Sequence, residues 1–292
     1  GAGATTITGL QANLTDTSSA AQDITVASVA TITLGLGSDT TDTDAVDARA
    51  LTNGQILTLT GANDATISFD EGDITASAYT GGLTVTGTGT AGQFTTGTAS
   101  SSISSTGTTA IVATALADGQ TLTTTGNGAL TITGLQANLA VNDARSAAHS
   151  VTAAAVANLT VAMGTSTSGT DTIVATALTD GQVLTLTGSN STNLSFANGD
   201  ITASAFAGAL AVTGSGTSGQ FTTGVASSSI SSTGATTIVA TALADGQTLT
   251  TSGAGATTIT GLQADLTDTS TAAQNITVAD VATITLGLGS DG

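Results

Sequence analysis

The stretch "GQFTTGTASSSISSTGTTAIVATALADGQTLTTTG", beginning at Gly92, returns as "GQFTTGVASSSISSTGATTIVATALADGQTLTTSG" from Gly219. The offset in numbering is 219 − 92 = 127, and it also sets Phe69 on Phe196, Asp73 on Asp200 and Phe94 on Phe221. Two periods less a short deletion carry Gly1 onto Gly253, so the last forty residues nearly repeat the first forty. Inside the period a weaker phrase, "ALTNGQILTLTG" near Ala50, comes back near Ala115, Ala177 and Ala242, at spacings of 65, 62 and 65. Such self-similarity constrains the fold more than composition does. A unit that cannot bury its apolar face alone stacks on copies of itself. The phases divide the chain into a partial repeat 1–45, half-units 46–109, 110–171 and 172–236, and a partial repeat 237–292 that matches 1–40. Both ends fall at the same phase, which predicts an excerpt of a longer array whose export signal, caps and anchor lie elsewhere.

The strand signal is strong. Runs such as "TTIVATAL", "TTITGL", "NITVAD" and "ATITLGL" alternate aliphatic or β-branched residues with Thr, Ser or Ala, and Gly, Asn or Asp separate them. Asp-Gly in "ALADGQTL", with Asn53-Gly54 at the corresponding place, has the chemistry of a tight bend, because Gly tolerates positive φ. Only "SAAHSVTAAAVANL" has the Ala density of a helix. The chain is therefore all-β, and two architectures fit. In one, strands recurring every 9 or 10 residues wind as a repetitive β-solenoid, a parallel β-helix-like rod with about 20 residues per coil. In the other, each half-unit is a small β-sandwich domain in a tandem array. We favour the solenoid: 5 Phe, 1 Tyr and no Trp are too few large residues for sandwich cores, whereas Val, Ile, Leu, Ala and Thr fill a narrow coil.

Twenty acidic residues against two Arg and no Lys give a net charge of −18. Nucleic acid and anionic membrane surfaces require basic residues to displace counterions, so neither is an expected partner. No apolar run approaches the roughly 18 residues of a membrane span. Without Cys there are no disulfides or thiolate sites, and without Lys no Schiff-base or Lys–Asn isopeptide chemistry. His149 is the only imidazole, and its repeat equivalents are Gln22 and Gln274, so it reads as an ordinary polar position. Arg49 and Arg145 do not recur and read as isolated surface charges. Triad and glycosidase chemistry both lack an acid, a base and a cleft that can be assembled. The chain is not expected to be an enzyme.

The phrases "GDITASAYTGGLTVTGTGTAG", "GDITASAFAGALAVTGSGTSG" and "VATALADGQTLTTTG" resemble the Thr-, Gly- and Asp-rich repeats of giant bacterial extracellular adhesins and S-layer-type proteins distantly like the calcium-binding RTX group. The nonapeptide of true RTX coils is missing, so a metal in every turn is not implied. The resemblance implies secretion, a cell-surface location and a structural or adhesive role.

Two acidic clusters are candidate metal sites. Asp39, Asp42 and Asp44 in "GSDTTDTD" follow a strand and supply the oxygen ligands that Ca²⁺ takes, although the middle copy keeps only Asp171. Asp70, Glu71 and Asp73 in "FDEGDIT" form the weaker candidate, and their copy keeps only Asp200. In each case the competing reading is structural, a solvated acidic loop or a turn that starts a strand. Thr rows such as "TLTLTG" raise an ice-binding face, though Thr equally favours the outward side of any strand. Sequons at Asn13, Asn158, Asn190, Asn193 and Asn275 permit glycosylation. The expected function is a structural extracellular repeat protein of a filament, sheath, S-layer or adhesin stalk, self-associating, with Ca²⁺ as candidate cofactor and cell-surface polysaccharide as candidate partner. The alternative is a carbohydrate- or ice-binding module, whose mark would be loop residues or Thr ladders repeated in register on one face.

Overall fold

The computed structural model describes residues 3–18, 20–38, 42–142, 147–165, 169–281 and 283–289. It contains two compact units, Gly1–His149 and Ser150–Gly292. Among the described residues every element is a strand, and no helix is long and apolar enough to cross a membrane. Within each unit successive strands alternate between two sheets and pair in parallel with the strand one coil away. This is a β-solenoid. In the first unit Thr5 pairs with Gln22 and Thr31 with Ile56, so one coil advances the numbering by 22 − 5 = 17 and another by 56 − 31 = 25.

The ladders run through the phase boundaries of the sequence. Thr109–Val112, which straddles residues 109 and 110, pairs with Gln93–Thr95 on one side and Leu130–Leu135 on the other. A closed sandwich ending there would have left that edge unpaired, so the array of sandwich domains is excluded. The strand count agrees: from Ile56–Gly61 to its counterpart Thr121–Gly126 the chain advances seven strands, an odd number that is not a whole set of two-strand coils.

Period-2 alternation sends one side of every strand inward. In the first unit Ile24, Val46, Ile67, Val85, Ile103, Thr124 and Val141 stack in register as one inner column. Ile32, Leu57, Ile74, Phe94, Ile111 and Ile132 form the facing one. In the second unit Leu159, Leu184, Ile201, Phe221, Ile238 and Ile259 repeat the latter arrangement, and the Phe196 ring lies 6.4 Å from that of Phe221. Column residues of this kind are buried, so a narrow interior is filled with no Trp at all.

The Asn-Gly and Asp-Gly bends behave as expected. Gly54, Gly119, Gly181 and Gly246 have φ of 82°, 77°, 78° and 73°. Each bend is closed three residues apart, as in Gln55 N–H to Thr52 O at 2.9 Å and Gln182 N–H to Thr179 O at 3.0 Å. They are corners between the two sheets. The described part of the Ala-rich stretch is not helical: the strand Ser150–Ala153 lies in it and the strand Asn158–Ala162 begins in it. Parallel pairing with Thr170–Ala175 and Val183–Gly188 overrides its modest local propensity.

Candidate functional site

The carboxylates are the only abundant chemically capable groups. Asp39 lies outside the described residues. Asp42 is half-buried in a bend, and Asp44 is completely buried inside the strand Thr43–Asp47, in phase with Val46. Asp44 is therefore no loop residue. Its Oδ1 accepts the Gln22 N–H at 2.8 Å, and its Oδ2 accepts Nδ2 of Asn63 at 3.2 Å. Burial pushes the Asp44 carboxyl above its usual range. The bonds from Gln22 and Asn63 pull against that shift, while Asp16 and Asp42 add to it.

The pair recurs one repeat later. Asp171, also buried, accepts Nδ2 of Asn190 at 2.9 Å. In both pairs Oδ1 of the Asn is buried and accepts nothing. In the first unit the Asn63 carbonyl also accepts the buried Tyr79 hydroxyl, a bond the second unit lacks because Phe206 replaces the tyrosine. Burial lifts the Tyr79 phenol far above its ordinary value.

The weaker cluster is spread over one corner. Asp70 accepts the Thr88 hydroxyl, Glu71 is exposed, and Asp73 Oδ1 accepts the Gln93 N–H of the next coil at 3.1 Å. Asp200 accepts the Gln220 N–H at the same 3.1 Å. Other carboxylates follow the pattern: Asp64 takes the Gly82 N–H at 2.9 Å and Asp265 the Thr285 N–H at 2.8 Å. Asp16 binds the N–H and hydroxyl of Ser18, and its counterpart near the other end of the chain, Asp268, binds those of Ser270 together with the Thr251 hydroxyl. Burial acts upward on Asp268, but these bonds outweigh it and hold the carboxyl below its usual value.

Among the described residues no three His, Cys, Asp or Glu side chains come together as a metal site. His149 is 3 % exposed. Arg49 is exposed yet not isolated, since it pairs with Asp47 at 2.6 Å and holds that carboxyl below its usual range; Arg145 lies outside the described residues. Of the sequons, Asn190 is buried with its amide engaged, whereas Asn158, Asn193 and Asn275 are exposed.

The arrangement does structural chemistry. An Asp at a coil corner accepts a backbone N–H that the ladder leaves over, a charge-assisted bond stronger than a neutral one. Sequence reasoning overlooked the asparagines, although the shared offset of Asp44/Asn63 and Asp171/Asn190 is the signal that marks them. No family model, curated protein or solved structure matches the chain.

Proposed function

We propose that the chain is a structural, extracellular repeat segment of a surface filament, sheath, layer or adhesin stalk, which associates with copies of itself. The observation that carries this reading is the use made of the polar side chains. Carboxylates that would be candidates for catalysis or metal binding are engaged in stitching one coil to the next, at matching positions in both copies of the repeat. A chain that spends its acids on stacking is built for length and stiffness. Immunogold labelling of intact source cells, with antibody raised against these 292 residues, tests the location. Label on surface appendages or envelope is expected, and label confined to the cytoplasm would overturn the reading.

One observation favours a second reading. Thr33, Thr58, Thr75 and Thr95 stand in register on an outward face of the first unit, and Thr160, Thr185, Thr202 and Thr222 repeat the row in the second. In-register Thr is what an ice- or polysaccharide-binding module requires. Retention of the chain on ice or on insoluble polysaccharide, against a bovine albumin control, tests it.

A further inference from the structure

The opposite sheet of the first unit carries a second set of hydroxyls, two columns wide and uncharged over four successive rungs. Thr66, Thr84, Ser102 and Thr123 form one in-register outward column, and Ser68, Thr86, Ser104 and Thr125 form the next. All eight are at least partly exposed, and none of these side chains makes a hydrogen bond within the chain. Some other hydroxyls bond within the chain: Ser100 with Gln120 at 2.9 Å, Ser105 with Thr109 at 2.8 Å, Ser18 with Asp16 at 2.8 Å. Over these four rungs neither column contains a charge. Asp47, ion-paired to Arg49, stands in the second column just beyond Ser68, and Ala140 follows Thr123 in the first.

We infer that this uncharged hydroxyl face is where a second copy of the chain docks, face against face. The inference rests on the self-associating reading above and specifies its surface. Charge placement selects the occupant. A chain of net charge −18 repels its own copy wherever carboxylates meet, and close approach is least opposed on a face that has none. Rows of small side chains, spaced by the strand repeat of about 4.8 Å, interdigitate with the same row of a second copy.

Size sets the strength. The sheet has eight strands among the described residues of this unit. At about 4.8 Å per strand and about 3.3 Å per residue over five residues, its four uncharged rungs cover roughly 300 Å². A stable interface buries about 800 Å² on each partner. One face therefore binds weakly, and avidity grows as repeats are added to the rod. Sheets packed about 10 Å apart bring corner carboxylates within the Debye length of about 30 Å at 0.01 M salt, but not within the roughly 8 Å at 0.15 M. Association strengthens with salt.

Sedimentation equilibrium of the 292-residue chain, at concentrations up to about a millimolar in low and physiological salt, tests this. The test compares the unaltered chain with Thr86→Glu/Ser104→Glu on this face and Thr58→Glu/Thr75→Glu on the other sheet of the same unit. Circular dichroism melts confirm that each variant folds. The expected result is salt-promoted association of the unaltered chain, weakened at least about tenfold by the first pair and little changed by the second. Equal association of both variants removes the face assignment and leaves self-association standing. A chain that stays monomeric in all salts overturns the self-associating reading itself. Loss of ice retention with association intact in the Thr86→Glu/Ser104→Glu variant would assign the face to ordered water instead.

Discussion

Substituting Gly107 by Ala tests the stacked coil directly. A Cβ on Gly107 would lie 1.8 Å from the carbonyl oxygen of Gly89 in the preceding coil and 2.7 Å from its carbon. The obstacle is backbone, so no rotamer relieves it. Reaching even 3.0 Å requires the two coils to part by more than an ångström. Two ladder bonds flank that point, Thr106 N–H to Gly87 O at 3.0 Å and Ala110 N–H to Gly92 O at 3.3 Å. Both would stretch past useful length. Each lost bond, with its groups left partly unsatisfied, costs about 1–3 kcal/mol, so the substitution costs about 3–5 kcal/mol. Gly54→Ala is the control. It has φ +82 and open space around it, and left-handed strain alone costs about 1–2 kcal/mol. Hydrogen exchange reads the difference locally, which matters because stacked repeats need not unfold as one unit. The amides of Thr106 and Ala110 should lose protection in Gly107→Ala and keep it in Gly54→Ala. If Gly107→Ala retained protection there and melted with Gly54→Ala, the coils could not be stacked as described.

Three further substitutions or treatments bear on the interior and the acids. Thr124 is fully buried between Ile103 and Val141 with Oγ1 unpartnered, so Thr124→Val should stabilise the chain by about 1 kcal/mol; a loss of stability in urea melts would point to a partner for that hydroxyl. Asp44 and Asp268 should respond to pH with opposite sign. The raised Asp44 carboxyl contributes stability below its ordinary value of 3.8 that is lost as pH rises through the folded value, so Asp44→Asn should be favoured at pH 7 and lose its advantage on acidification. The lowered Asp268 carboxyl contributes stability above 3.8 that is lost as pH falls through the folded value, so Asp268→Asn should cost about 1–2 kcal/mol at neutral pH and nothing in acid; melts of both variants that ran parallel to the unaltered chain across this range would refute both assignments. Finally, excess EGTA should leave the melting temperature within about 2 °C, because donors such as Gln22, Asn63 and Gln93 already satisfy Asp44 and Asp73; a much larger fall would identify a cation as the true partner of the acids.

The solenoid was legible because two independent signals agreed. Period-2 strands recurred at about half a coil, and the shortage of aromatic residues left only a narrow interior to fill. The corners were legible too, since Gly54, Gly119, Gly181 and Gly246 all stand after Asn or Asp and all have positive φ. Asp44 was not. In "TDTDAVDARA" it has the parity of Val46, but a carboxylate in a strand's inward phase contradicts ordinary burial preferences, and the local acid density reads as a loop. What permits its burial is Gln22, which precedes it by 22 residues, and Asn63, which follows it by 19. Those partners depend on coil lengths that differ from one turn to the next, and no local pattern fixes them. The Ala-rich stretch failed for the converse reason: its strands are imposed by neighbours that sequence proximity does not reveal.

The acids that the repeat keeps are those with amide donors on a neighbouring coil. Of "GSDTTDTD" the middle copy retains only the counterpart of Asp44, and of "FDEGDIT" only the counterpart of Asp73. These two are the acids of the described residues in each cluster that accept a bond from a neighbouring coil's backbone or buried amide in both copies, while exposed Glu71 becomes Asn198. A metal site would need its ligands kept together, since Ca²⁺ takes six to eight oxygens and one carboxylate alone binds it weakly. A ladder cap needs only its own N–H donor and can be kept singly. The pattern of loss inside the chain therefore follows engagement by amide donors of a neighbouring coil, since Asp70, which accepts only a hydroxyl, becomes Ala197. It leaves Asp42, Asp70 and Glu71, which stand in bends between strands, with no acid at the matching position of the other copy.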